Sequence, residues 1–230
     1  MKLLAIETAS EACSVALLID GAVTERFRVQ PRGHSELILP MMNELLAEAE
    51  VTLSGLDAMA FGQGPGSFTG VRIATGVIQG AAFAADLPVM PVSTLATLAQ
   101  RCFREQGKCR LLPAFDAGMK EVYWGIYEVS DTGVVRQVVA DEVSLPKAVT
   151  LPEGGDWHAV GSGWKSYGEQ LCLLLGGSLA SINPDLLCSA HDVAVLGAAD
   201  FAVGQTVSAE QALPLYLRDK VAAKPAVPPI

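Results

Sequence analysis

Short apolar runs broken by turn residues open the chain. Leu3–Ile6, Cys13–Ile19 and Val23–Val29 read as strands, with Glu7-Thr8-Ala9-Ser10 as the first turn. Asp20-Gly21 joins the next two strands and is a strong hairpin signal, so the pattern predicts an antiparallel meander. The apolar spacing then changes to that of a helix. Ser35 stands as its candidate N-cap, and Pro40 removes one backbone bond if the helix contains it. A strand over Asp57–Phe61 leads into a glycine-rich loop and a helix over Thr69–Ala85, with Ser67 or Thr69 as cap. Strand Val89–Val92 follows, and Ser93 is placed to cap a helix running to about Glu105. Strand, helix, strand, helix after a meander predicts an α/β domain with a mixed sheet.

The second half echoes the first. Leu111–Asp116, a turn over Ala117-Gly118-Met119-Lys120 and strand Glu121–Val129 repeat the opening. Glu7 then corresponds to Asp116, and Cys13–Leu17 to Val122–Ile126. Two halves that start alike point to a duplicated, actin-like architecture, although any two hairpins of this length share such a pattern. Strand His158–Val160, loop Gly161–Gly163 and helices near Trp164–Leu175 and Asp192–Val203 complete this half. The division is therefore 1–106 and 107–218, with a loose Lys-, Ala- and Pro-rich tail over 219–230.

Two helices are apolar over too wide an arc. In the helix after Ser35, Leu37, Met41 and Leu45 form one row and Ile38, Met42 and Leu46 another, beyond the single stripe that faces a core. In the helix after the glycine loop the polar Arg72, Thr75, Gln79 and Asp86 share one narrow stripe. The remainder is apolar or small, including Gly76 and Gly80. Either both helices are sandwiched inside the protein, or their outer faces form an exposed apolar patch for another protein. Few helices are left in two small halves to cover both, which favours the interface.

Composition narrows the function. The chain has 230 residues, half of them apolar, a net charge of −9 and 18% charged residues. Mean hydropathy is +0.35 and the pI about 4.8. Such a chain is globular, and it lacks the basic face needed to hold nucleic acid alone. Cys13, Cys102, Cys109, Cys172 and Cys188 form no C-x-x-C spacing, which fits a reducing compartment. The apolar stretch 70–92 is broken by Arg72, Gln79, Asp86, Pro88 and Pro91, so no membrane span is expected, and the N-terminus lacks a signal-peptide layout. A cytoplasmic location is expected.

The chemistry-bearing residues do not form a complete catalytic set. Gly62-Gln63-Gly64-Pro65-Gly66-Ser67-Phe68-Thr69-Gly70, between strand and helix, has the setting of an anion cradle but matches neither a P-loop nor a dinucleotide fingerprint. His34, His158 and His191 have no ligand spacing. Glu7, Thr8, Ser10 and Asp116 mark a residual nucleotide cleft if the duplication holds, but the turn after Glu7 lacks the glycine that admits phosphate.

Leu4–Leu17, His34-Ser35-Glu36 with Leu39-Pro40, Gly64–Arg72, Val92–Leu95, Glu121–Trp124 and Pro214–Arg218 together resemble the TsaB (YeaZ) family over nearly the whole chain. The resemblance implies an actin-like (ASKHA, RNase H-like) fold of two related domains. It implies a role in forming threonylcarbamoyladenosine next to the tRNA anticodon, with TsaC making the threonylcarbamoyl-adenylate and TsaD transferring it. In the family the two helices pair with TsaD, with TsaE joining, or with a second copy when TsaD is absent. The resemblance thus places His34, Leu37, Ile38, Met41, Met42, Leu45, Phe68, Thr69, Arg72, Ile73 and Gly76 at the partner interface. It implies tRNA contact only through the complex, no required cofactor and at most weak nucleotide binding. Thr94 and Leu98 stand where TsaD carries its two metal-binding histidines, so a non-catalytic subunit is expected. An actin-like ATPase or kinase is the competing expectation.

Overall fold

The computed structural model describes residues 1–150 and 154–218, so the tail expected over 219–230 lies outside the described residues. The chain builds two five-stranded sheets of identical topology. In the first, β1 (Lys2–Glu7), β2 (Ala12–Ile19) and β3 (Ala22–Val29) form the meander. Then β4 (Ala58–Gly64) and β5 (Val89–Ser93) add in parallel beside β1, giving the order β3-β2-β1-β4-β5. The second sheet repeats this with β6 (Arg110–Gly118), β7 (Glu121–Val129), β8 (Val135–Ser144), β9 (Trp157–Val160) and β10 (Leu179–Asn183) in the order β10-β9-β6-β7-β8. The meander is again antiparallel and the last two strands parallel, so the echo in the sequence is a real duplication of topology.

Register corrects the echo by one residue. Glu7 pairs with Ser14 and Asp116 with Val122, so Ser14, not Cys13, is the equivalent of Val122. The two acids also point to opposite sides. Side chains alternate along a strand: Leu3 and Ala5 face the core between the sheets, and Glu7 continues that side. Asp116 continues the Leu112 and Ala114 side, toward the helix α4 (Ser162–Leu175).

Helices α1 (His34–Glu48) and α2 (Phe68–Ala85) cover the outer face of the first sheet, and α4 covers the second. Ser67 caps α2 by accepting from Gly70 N. Ser93 caps α3 (Thr94–Gln106) by accepting from Ala96 N. Ser35 is not a cap: α1 begins one residue earlier, with Gly33 at the N-cap and no side-chain bond, and Pro40 lies inside it. The remaining helices exchange partners. α3, at the end of the first half, packs on β6, β7 and β8, whereas α5 (Ala190–Ala202), at the end of the second, packs on β1, β2 and β4. One apolar core runs from Leu3 and Ala60 through Leu95 and Leu98 to Leu111, Tyr127 and Val193. The bidentate pair of Arg104 with the buried Asp192 ties α3 to α5. Gly197 completes the fit, since a Cβ there would stand 2.8 Å from Ala60.

Strands β8 and β10, absent from the reading of the sequence, are edge strands whose side chains are mostly exposed or half-buried. They therefore carry little of the apolar alternation that marks a strand.

Candidate functional site

The face of α2 is organised in an unexpected way. The segment 212–216 lies along part of its polar stripe: Gln79 Nε2 donates to Ala212 O at 3.0 Å, and Arg72, although exposed, donates from Nε to Tyr216 Oη at 3.0 Å. Thr75 is buried and donates to Val71 O at 2.9 Å. The side left open is the apolar and small one. Phe68 is 55% exposed and Phe83 71%. Thr69, Arg72, Gly76 and Gly80 are exposed between them, Ile73 is half-buried, and a Cβ on either glycine would meet nothing within 4 Å. The result is a shallow furrow floored by glycine.

α1 behaves differently. Ile38, Met41, Met42 and Leu45, expected at the partner surface, are buried in the chain's own core with Leu4, Ile6, Val15 and Leu17. They face the sheet, so the wide apolar arc of α1 is largely an inward arc; Leu39 is exposed, and Leu37 and Leu46 are half-buried. His34 also turns inward, with Nε2 3.0 Å from Ser10 O and 3.2 Å from Ala12 O, and holds the β1–β2 turn.

The glycine loop is packed rather than open. A Cβ on Gly70 would collide with Thr8 O, and one on Gly66 would stand 2.6 Å from Ala9 O. Thr8 Oγ1 donates to Gly70 O at 2.7 Å, and Ser67 N donates to Ala9 O at 2.8 Å. Gly64, at φ +108°, donates its N–H to Thr94 Oγ1 at 3.0 Å. The N–H groups of Gly64, Ser67 and Gly70 are thus taken up within the chain. These glycines admit the neighbouring turn, which is the commoner use of such a loop.

A cleft of about 1220 Å³ lies between the loop, the β1–β2 turn, α4 and the segment 215–218. It brings together Ser10 and Asp116 of the expected nucleotide set but not Glu7 and Thr8, which are wholly buried beneath it. Partial burial works to raise the pKa of Asp116, but donation from Gly118 N, Ser166 and Tyr167 outweighs it and holds the carboxylate below its usual value. Its lone pairs are largely engaged by the protein. Glu7 is the opposite case. Burial pushes its pKa up to about 7 against the donation of Thr8 and Ala9 N–H groups, and among the described residues its Oε2 has no hydrogen-bond partner. Gly62 is glycine for this reason, because a Cβ there would collide with Glu7 Oε2.

Among the described residues no three His, Cys, Asp or Glu side chains gather as a metal-binding set, and no helix is long and apolar enough to cross a membrane. Thr94 and Leu98 are both fully buried. Thr94 is engaged by Gly64, and Leu98 lies so close to Gly161 that a Cβ there would stand 2.6 Å from its Cδ2.

A family model described as TsaD, tRNA N6-adenosine threonylcarbamoyltransferase, matches residues 28–225. The tRNA threonylcarbamoyladenosine biosynthesis protein TsaB of Escherichia coli (strain K12) is 42% identical over 230 residues, spanning 97% of each chain. The chain belongs to the TsaB (YeaZ) family. Its Haemophilus influenzae member is 38% identical over 97% of this chain and 96% of its own. YeaZ from Pseudomonas aeruginosa superposes with a TM-score of 0.87 at 47% identity, covering 94% of this chain and 99% of that one. For a TsaB chain, the feature that sequence reasoning missed is the C-terminal segment laid along the polar stripe of α2. Its signal was that stripe itself, too polar for the surroundings of a helix that is otherwise apolar.

Proposed function

We propose that this chain is a non-catalytic partner subunit in tRNA threonylcarbamoyladenosine formation. It docks the open face of α2 onto the TsaD-type transferase that places threonylcarbamoyl on the adenosine next to the anticodon. The observation that carries this reading is the glycine-floored furrow between Phe68 and Phe83, with Gly76 and Gly80 exposed on a helix interior. Exposed glycine weakens a helix, by about 0.5–1 kcal/mol relative to alanine, and two one turn apart fit a close helix–helix approach. The curated relatives' names point to the same pathway.

In this reading Thr94 and Leu98 leave no metal ligands, so the transferase supplies the chemistry and this chain stabilises its active form. TsaE joins the pair, TsaC supplies the activated threonylcarbamoyl group, and tRNA is bound only through the complex, in keeping with the net charge of −9. The same face pairs two copies when the transferase is absent. No cofactor is required, nucleotide bound in the cleft is weak and incidental, and the site of action is the cytoplasm. The test is threonylcarbamoyl transfer to tRNA by purified TsaC, TsaD and TsaE with and without this chain. Activity should collapse without it and with Gly76→Arg, which fills the furrow from an open position. Full activity in its absence would sink the proposal.

A further inference from the structure

Tyr216, Arg72 and Phe68 form a continuous ladder at the edge of α2. The Arg72 guanidinium carbon lies 3.5 Å from the Phe68 ring centre and 5.9 Å from that of Tyr216, and its Nε donates to the Tyr216 hydroxyl. The rings themselves are 6.4 Å apart. Among the described residues the Nη groups of Arg72 have no partner, and Phe68, Tyr216 and Leu213 are all more than half exposed, at 55%, 51% and 58%. An arginine held between two aromatic rings is rigid before any partner arrives, and Tyr and Arg are enriched among the residues that dominate binding.

The segment that supplies Tyr216 is fixed at both ends. On the first half, Leu215 N donates to Gln63 O at 2.8 Å and Ala212 O accepts from Gln79. On the second half, Arg218 Nη2 donates to Ala117 O at 3.1 Å and pairs with Glu121. The strap 212–218 therefore runs from the docking helix to the β6–β7 turn.

Phe68 lies on the open face of α2, Arg72 stacks on it, and Arg72 is in turn bonded to Tyr216 and stacked beside its ring, so the exposed surface of the strap continues that face without a break.

We infer that the strap 212–218 is the second part of the docking surface, and that Tyr216 and Leu213 contact the same TsaD-type partner that α2 engages. This rests on the docking reading above. A partner so held touches a segment anchored to both halves, and not to the first sheet alone.

The test is titration of the purified TsaD-type partner with the full chain and with Tyr216→Ala, Leu213→Ser and Gly76→Arg, alongside thermal unfolding of each isolated variant. Tyr216→Ala should weaken association about tenfold or more and Leu213→Ser about threefold, each with a melting midpoint close to that of the parent. Gly76→Arg should abolish association. If Gly76→Arg abolishes binding while both strap variants bind within twofold of the parent, the strap inference is overturned and the α2 reading stands. If Tyr216→Ala loses affinity only together with fold stability, Leu213→Ser decides, and parental affinity there also overturns it. Weakened self-association with unchanged partner affinity counts against it in the same way. If Gly76→Arg binds like the parent, the docking reading itself fails.

Discussion

Replacing Glu7 by glutamine should remove a pH dependence built into the first sheet. The carboxyl is fully buried, Oε2 has no partner among the described residues, and burial raises its pKa from 4.5 to about 7. The folded state thus binds this proton more tightly than the unfolded chain does. Its contribution to stability is complete below pH 4.5 and is lost as pH rises through 7. A shift of this size corresponds to roughly 3 kcal/mol, at about 1.4 kcal/mol per pH unit. Glutamine keeps the acceptor for Ala9 N and does not ionise. The stability difference between parent and Glu7→Gln should therefore move by roughly 3 kcal/mol in favour of the variant between pH 4.5 and pH 8. Asp141, Asp192 and Asp200 also have raised pKa values, with burial the leading cause, but both proteins carry them and they cancel. So does any pH-independent cost of placing an amide beside Gly62. The assay is urea unfolding followed by tryptophan fluorescence at several pH values. A difference that stays constant across that range refutes the argument.

Other substitutions probe the same packing. Gly62→Ala should cost about 1–3 kcal/mol through collision with Glu7, and less in a Glu7→Ala background, so a double-mutant cycle by urea unfolding should show strong coupling. Met41→Glu should unfold the chain because the side chain is buried under the sheet, whereas Phe83→Ser, on the open face, should leave circular dichroism and melting midpoint almost unchanged. Gly80→Ala should stabilise the isolated chain by about 0.5–1 kcal/mol, since the site is helical and open. A loss of stability there would mean the furrow is already filled.

The elements that the sequence made legible share a physical reason. β1 and β2 show apolar runs bounded by turns, β3 follows the Asp20-Gly21 hairpin signal, and Ser67 and Ser93 cap their helices because their side-chain oxygens reach a free N–H. Ser35 has the same chemistry two positions past the N-cap Gly33, and makes no capping bond. The excess apolar arc of α1 and α2 was visible, but a helical wheel does not say which side meets the sheet. Met41 and Met42 lie on the covered side, while Gly76 and Gly80 lie on the open one. The cover thought to be lacking comes partly from 212–218, which carries no regular strand or helix pattern to announce itself. Glu7 was legible as an acid at a strand end, but its strand is covered by α5, more than a hundred residues away, whose first residue donates to Ser14, the cross-strand neighbour of Glu7.

The exchanged helices have a consequence for how the protein is made. The inner face of the first sheet is covered by α5, which begins at residue 190. A nascent chain that has emerged as far as Gln106 therefore holds all five strands of that sheet, with α3 against β4 and β5 but without the helix that packs on β1 and β2. Leu3, Ala5, Ala16 and Ala60 lack that cover until α5 has been made. The first half must wait for the last, and in that interval its part-covered sheet is a surface for chaperones or for the wrong neighbour.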